Sequence, residues 1–198
     1  MDTLVLASGN RKKLEEMRAI LEPLALKVVP QSDFQVPEAE ETGLTFVENA
    51  ILKARNAAAH TGLPAIADDS GLEVDALNGA PGIYSARFSG ADASDAKNNA
   101  LLIDMLGDLP EAPRTARYQV LLVLMRHPDD PTPLICQGTW EGEILLAPRG
   151  NGGFGYDPHF LIPDLGVTAA EMDPAEKNRI SHRGRALKAL MDALRDTL

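Results

Sequence analysis

Cysteine is nearly absent from this chain: among 198 residues only Cys136 carries a thiol. No intrachain disulfide can form, which fits a reducing compartment. Cys136 stands in the apolar run Pro133-Leu134-Ile135-Cys136, so it reads as a core or strand residue and not as a nucleophile. Basic residues are in deficit as well, 19 against 29 acidic ones, for a formal net charge of -10. That balance argues against a uniformly basic nucleic-acid face. Any phosphate site must then be a local basic pocket on an acidic body, which suits small ligands. No apolar stretch approaches the ~20 residues needed to span a bilayer. The first apolar run has no basic leader and meets Ser8-Gly9-Asn10 too soon for a signal peptide. The expectation is a cytoplasmic protein that engages neither nucleic acid nor membrane. The chain also lacks G-K-[ST], which excludes a Walker A loop.

What is present is an ordinary globular composition, 44% hydrophobic and 24% charged, in a length that suits one large domain or two intimate lobes. The stretch Ala65-Ile66-Ala67-Asp68-Asp69-Ser70-Gly71-Leu72 stands out. It reads as a short buried strand that ends in a Ser70-Gly71 turn. Side chains alternate along a strand, so Asp68 and Asp69 are expected to face different surroundings. Carboxylates at a strand end can hold a hard cation such as Mg2+ or polarise a water.

The rest of the chain supplies anion and base sites. Residues 3–7 read as a buried strand, and Asn10 as the N-cap of a helix with Leu14, Met17 and Leu21 on one face. Its first turn carries Arg11, Lys12 and Lys13, the wrong sign for a helix N-terminus unless an anion binds there. Residues 26–29 read as a second strand. Glu38, Glu40 and Glu41 lie in a polar, acidic loop, and one of them is a candidate second carboxylate beside Asp69. Thr45-Phe46-Val47-Glu48 is a capping box that opens an Ala-rich helix ending near Gly62. A helix is expected over residues 92–106, with Ala96, Asn99, Leu102, Ile103 and Leu106 on one face. A long hairpin is expected over residues 116–146, its second strand broken near Gly138 and Gly142. Gly150, Gly152 and Gly155 satisfy G-x-G-x-x-G, but no helix follows, so a dinucleotide site is rejected. Those glycines let backbone approach a ligand, and Phe154 and Tyr156 offer flat faces to a base. Asp173 and Pro174 start one helix and Ser181 caps the last, whose first turn again carries donors, His182 and Arg183.

Taken in order, the segments resemble one family. They are Ser8-Gly9-Asn10 with Lys13, Glu41-Thr42-Gly43, Asp68-Asp69-Ser70-Gly71-Leu72, Pro81-Gly82-Ile83-Tyr84-Ser85-Ala86-Arg87, Gly153-Phe154-Gly155-Tyr156-Asp157-Pro158, Lys177 and Ser181-His182-Arg183. The whole chain resembles the non-standard purine nucleoside triphosphate pyrophosphatases, the inosine and xanthosine triphosphate pyrophosphatase family, in their bacterial form. The resemblance implies an α/β fold: a long, twisted mixed sheet flanked by helices, two lobes with an active-site cleft between them, and a homodimer. It implies Mg2+-dependent hydrolysis of ITP, dITP and XTP to the monophosphate and pyrophosphate. Carried onto this sequence, Ser8, Gly9, Asn10, Arg11, Lys12 and Lys13 would hold the phosphates. Asp69 would be the catalytic carboxylate and a metal contact. Glu40, or its neighbour Glu41, would supply the other metal carboxylate. Ser70, Phe154, Gly155, Tyr156, Asp157, Lys177, His182 and Arg183 would line the nucleoside side. Two alternatives remain at this point. A pyrophosphatase for modified pyrimidine triphosphates would open with a Ser/Arg-rich loop, unlike residues 8–13. A purine triphosphate sensor without hydrolysis would not need the acidic cluster.

Overall fold

The computed structural model describes residues 2–195, apart from the side chain of Lys12. Seven strands form one mixed sheet in the order β2-β1-β3-β4-β5-β6-β7. They are β1 (Thr3–Leu6), β2 (Lys27–Pro30), β3 (Ala65–Val74), β4 (Thr115–Met125), β5 (Leu134–Ile144), β6 (Phe160–Ile162) and β7 (Val167–Thr168). The helices are α1 (Arg11–Leu21), α2 (Phe46–Thr61), α3 (Asp95–Gly107), α4 (Pro174–Ile180) and α5 (His182–Arg195). β1 pairs in parallel with β2 and β3, and β6 pairs antiparallel with β5 and β7. Among the described residues no helix is long and apolar enough to cross a membrane.

The chain divides into two compact units. The first comprises residues 1–69, 120–137 and 185–198; the second comprises residues 70–119 and 138–184. In the first unit, strand alternation sorts the core into two layers. Leu4, Leu6, Val28, Ile66, Val120, Leu122 and Leu124 pack with Leu14, Met17 and Leu21 of α1 and Leu187, Leu190 and Leu194 of α5. Their neighbours Val5, Ala7, Val29, Ala65, Ala67 and Val123 pack instead against α2. The buried face of α2 is Ala50, Ala54, Ala57 and Ala58, all fully enclosed, and such small side chains let the helix lie close to the sheet. Thr45 caps α2 by accepting from the Glu48 N–H, and Gly62 ends it in the left-handed region at φ 67°.

The second unit has its own core, with Leu72, Val74, Leu102, Leu106, Tyr118, Trp140, Tyr156 and Phe160. Tyr118 and Phe160 rings meet at 4.6 Å and 53°, and Trp140 and Phe160 at 5.3 Å and 54°, tilted arrangements favoured by aromatic quadrupoles.

Three sequence expectations change. Ser70-Gly71 does not end β3: the strand runs on to Val74, because Leu72 and Val74 continue the buried alternation. β5 is not broken at its glycines. A Cβ on Gly142 would lie 2.6 Å from the Phe160 ring and from the Leu161 carbonyl, so that glycine admits a close neighbour and leaves the strand intact. α3 buries Asn98 with Leu102 and Leu106, whereas Ala96 is exposed.

Candidate active site

The first unit assembles its polar groups where its parallel strands end. β1 connects to β2 on one side, and the connection from β2 then crosses to β3 on the other side of β1; the carboxyl ends at such a switch point favour ligand binding. The last β1–β3 pair is Leu6 with Ile66. Residues 8–13 leave β1 immediately beyond it, and Asp68 and Asp69 follow Ile66 within β3.

Alternation decides which partner each aspartate meets. Ile66 faces the α1 layer, and so does Asp68, whose carboxylate accepts from Lys13 Nζ of α1 at 2.7 and 2.9 Å. Ala67 faces α2, and so does Asp69, whose Oδ1 accepts from Lys53 Nζ of α2 at 2.8 Å. The same ammonium donates to Glu41 Oε1 at 3.1 Å. Lys53 was not apparent from sequence. Burial opposes its charge, but Asp69, Asp68 and Glu41 outweigh that and hold its pKa above the ordinary lysine value. Burial raises the Asp69 pKa; Lys53 pulls it back in part, while Glu41 and Asp68 add to the rise. The net direction for Asp69 is upward.

The acidic loop is fastened to α2. Asn49 Oδ1 accepts from the Gly43 N–H at 2.9 Å, and Asn56 Nδ2 donates to the Pro37 carbonyl at 2.7 Å. A Cβ on Gly43 would sit 2.5 Å from Glu48 Cβ, so only glycine lets the loop lie this close. Of the two neighbouring glutamates, Glu41 is the one joined to Asp69 through Lys53.

Residues 8–13 form a capped turn. Asn10 N–H donates to Ser8 Oγ at 3.1 Å, and Asn10 Oδ1 accepts from Lys13 N–H at 3.3 Å. Gly9 is exposed and has Glu38 Oε1 3.8 Å from where a Cβ would stand. Arg11 pairs with Glu15 along its own helix face, in solvent. The Lys12 side chain lies outside the described residues.

A divalent cation would find one buried, unpartnered carboxylate oxygen here. Among the described residues there is no preformed group of three His, Cys, Asp or Glu ligands. Asp69 Oδ2 is buried and lacks a hydrogen-bond partner, an oxygen that a hard cation would satisfy. Mg2+ commonly takes one or two carboxylates and fills its octahedron with water and substrate phosphates. The set fits Mg2+ on that ground.

The second unit gathers the aromatic and donor groups. Asp157 is buried and accepts three times: from the Phe154 N–H at 2.9 Å, from Tyr118 OH at 3.3 Å and from Lys177 Nζ in a short ion pair. The same ammonium lies 4.9 Å from the centre of the Phe154 ring. Phe154 is 52% exposed, unusual for a large aromatic, whereas Tyr156 is buried with its hydroxyl donating to the Ser85 carbonyl at 2.8 Å. Burial, with Asp157 adding, keeps the Tyr118 phenol neutral well above its ordinary pKa. His182, at the start of α5, stacks on Tyr118 at 4.8 Å and 12°. Arg183 is partly exposed next to it, Gly155 is partly exposed between the two aromatics, and Ser70 is partly exposed on β3. Two bonds hold Gly155 to α3: its N–H donates to Asp95 Oδ2 at 2.7 Å, and its carbonyl accepts from Asn99 Nδ2 at 2.8 Å. Neither residue was a sequence candidate.

A model of the Ham1 family matches residues 4–193. The chain belongs to that family. It is 59% identical over 196 residues to the dITP/XTP pyrophosphatase of Shigella flexneri, a match covering 99% of this chain and 100% of that protein. Identity to the enzyme of the same name from Escherichia coli K12 is 58%, with the same coverage. A HAM1 protein structure from Coxiella burnetii superposes with a TM-score of 0.96 at 52% identity, covering 99% of this chain and 100% of the other. A Mycobacterium abscessus nucleoside-triphosphatase, also named a dITP/XTP pyrophosphatase, matches with a TM-score of 0.75 at 44% identity, over 99% and 98%.

Proposed function

We propose that this chain is a dITP/XTP pyrophosphatase that hydrolyses non-standard purine nucleoside triphosphates to the monophosphate and pyrophosphate. The activity carried by full-length relatives at 58–59% identity supports this reading. The observation that carries the mechanism is the pairing of Asp69 with Lys53 beside Glu41. In this reading residues 1–198 form one pyrophosphatase domain of two lobes, with the substrate held in a cleft. ITP joins dITP and XTP as a substrate because it carries the hypoxanthine base of dITP.

Water attacks the α-phosphorus, the bond from that phosphorus to the α,β-bridging oxygen breaks, and pyrophosphate leaves. Asp69 orients the water and accepts its proton, a task suited to a carboxylate whose pKa is raised. Lys13 and the turn of residues 8–13 neutralise phosphate oxygens, and Arg11 and Lys12 add positive potential there. Asp69 and Glu41 would hold Mg2+; the shared Lys53 favours Glu41 over Glu40. Mg2+ there supplies charge neutralisation on the transferring phosphate.

In the second unit Phe154 presents its face to the base. Lys177, His182 and Arg183 supply donors, with Ser70, Gly155, Tyr156 and Asp157 shaping the pocket. Donors match a 6-oxo purine and oppose the 6-amino group of adenine. The family resemblance also supports a homodimer, which sedimentation equilibrium tests, and a cytoplasmic setting, where Cys136 stays reduced.

The deciding measurement is release of pyrophosphate and of orthophosphate from dITP, XTP, ITP, GTP and ATP with Mg2+. Pyrophosphate from the first three, with little from GTP or ATP, is the expected result. Binding of these nucleotides without pyrophosphate release would replace the enzyme with a sensor.

A further inference from the structure

Gly155 is held at both polar groups of its backbone by two side chains one helical turn apart. Asp95, in the first turn of α3, accepts from its N–H at 2.7 Å, and Asn99 donates to its carbonyl at 2.8 Å. Gly155 has φ +60°, and a Cβ there would meet nothing within 4 Å. Open space means that crowding does not hold this conformation, and a glycine by itself moves readily among backbone states. The restraint comes from hydrogen bonds. Gly155 sits between exposed Phe154 and buried Tyr156, so its torsions set the direction in which Phe154 leaves the core. On the other side Phe154 is fixed by its own N–H bond to Asp157. Asn99 spends its donor on this one carbonyl: its Oδ1 is buried and has no hydrogen-bond partner. Leaving that oxygen unsatisfied is costly, so the amide is kept here against a penalty.

We propose that Asp95 and Asn99 are positioning residues for base recognition, a clamp that presents the Phe154 ring to the purine. The inference rests on the reading of Phe154 as the base-stacking side chain. Asp95 and Asn99 need not touch the substrate. They act through the Phe154–Gly155 and Gly155–Tyr156 peptides.

The test compares calorimetric binding of inosine monophosphate, which carries the base, with binding of pyrophosphate, which does not. Wild type is set beside Asp95→Ala, Asp95→Asn, Asn99→Ala, Phe154→Ala and the double variants with Phe154→Ala. Asp95→Ala and Asn99→Ala are each expected to weaken inosine monophosphate binding roughly 3- to 10-fold and to leave pyrophosphate binding within about 2-fold. Asp95→Asn keeps an acceptor oxygen and is expected to retain most of the affinity. In the Phe154→Ala background the clamp substitutions are expected to cost less than about 2-fold, because the side chain they position is gone. Equal losses for both ligands would indicate general damage and overturn the clamp. Losses that persist in full without Phe154 would do the same. A loss in Phe154→Ala alone overturns the clamp and leaves the stacking reading standing, whereas unchanged affinity in Phe154→Ala overturns both.

Discussion

Lys53 Nζ lies 2.8 Å from Asp69 Oδ1 and 3.1 Å from Glu41 Oε1, so a single ammonium ties the proposed catalytic carboxylate to the acidic loop. The lysine and aspartate side chains are only 14% and 12% exposed. In such surroundings removing one partner costs more than the pair itself contributes, because the remaining charge is stranded. Lys53→Met is therefore expected to destabilise the protein by about 3 kcal/mol. Lys53→Met with Asp69→Asn should recover much of that loss, while pyrophosphate release stays abolished. Urea denaturation of the four members of the cycle measures it. Additive losses would show that the two groups do not compensate one another.

Lys13 belongs to the other half of the same alternation. It reaches back from α1 to Asp68 on β3. Lys13→Ala is expected to raise KM for ITP by about tenfold or more, since a charge-assisted bond to phosphate is lost. Inosine monophosphate binding should change less than pyrophosphate binding, the reverse of the pattern expected for Asp95→Ala. Unchanged KM would remove Lys13 from the phosphate seat.

How far the sequence disclosed this site follows the separation of its parts along the chain. Residues 8–13 were legible because the turn, its Asn10 cap and its cations are contiguous. Asp68 and Asp69 were legible as neighbours with different surroundings because a strand's period of two needs no tertiary information. Lys53, Asp95 and Asn99 were not. Their partners lie 16, 60 and 56 residues away; a lysine on an Ala-rich helix and an acid in a first helical turn look like solvated surface, and placing Asn99 on the face of Leu102 and Leu106 does not name its partner. The strand errors have a similar origin. Gly71 and Gly142 carry turn propensity locally, yet both are enclosed in continuous strands by packing the sequence does not display. The Lys53 bridge, on which the proposal of Glu41 as the second metal carboxylate rests, needs the fold and is not displayed by the sequence.

Chelation is expected to separate chemistry from folding in this molecule. Asp68, Asp69 and Glu41 already share the two ammonium groups of Lys13 and Lys53, and the first unit has two large hydrophobic clusters of its own. Dialysis against EDTA is expected to abolish pyrophosphate release and to shift Tm by less than about 2 °C, since a weakly bound ion adds little to the folded state. Restored Mg2+ should return the activity. Undiminished turnover in EDTA would remove the cation from the reaction, and a large drop in Tm would make it a structural ion.

Away from the site, Asp75 offers a pH test with a definite sign. Arg117 donates to its two oxygens at 2.8 and 3.0 Å, and Thr115 Oγ1 donates at 2.5 Å. The Arg117 and Thr115 bonds lower the Asp75 pKa to about 2. A carboxylate with a depressed pKa in the folded state stabilises the fold above its unfolded value, about 3.9 for Asp, and that contribution fades as the pH falls through the folded value. The side chain is 39% exposed, so solvent screens the interaction and its worth is below about 1 kcal/mol. Asp75→Asn is accordingly expected to be slightly less stable than wild type at about pH 6, and the difference should shrink as the pH is lowered from about 4 towards 2. Urea midpoints across that range measure it. A difference that stays constant with pH would assign the effect to lost hydrogen-bond geometry and not to the charge on Asp75.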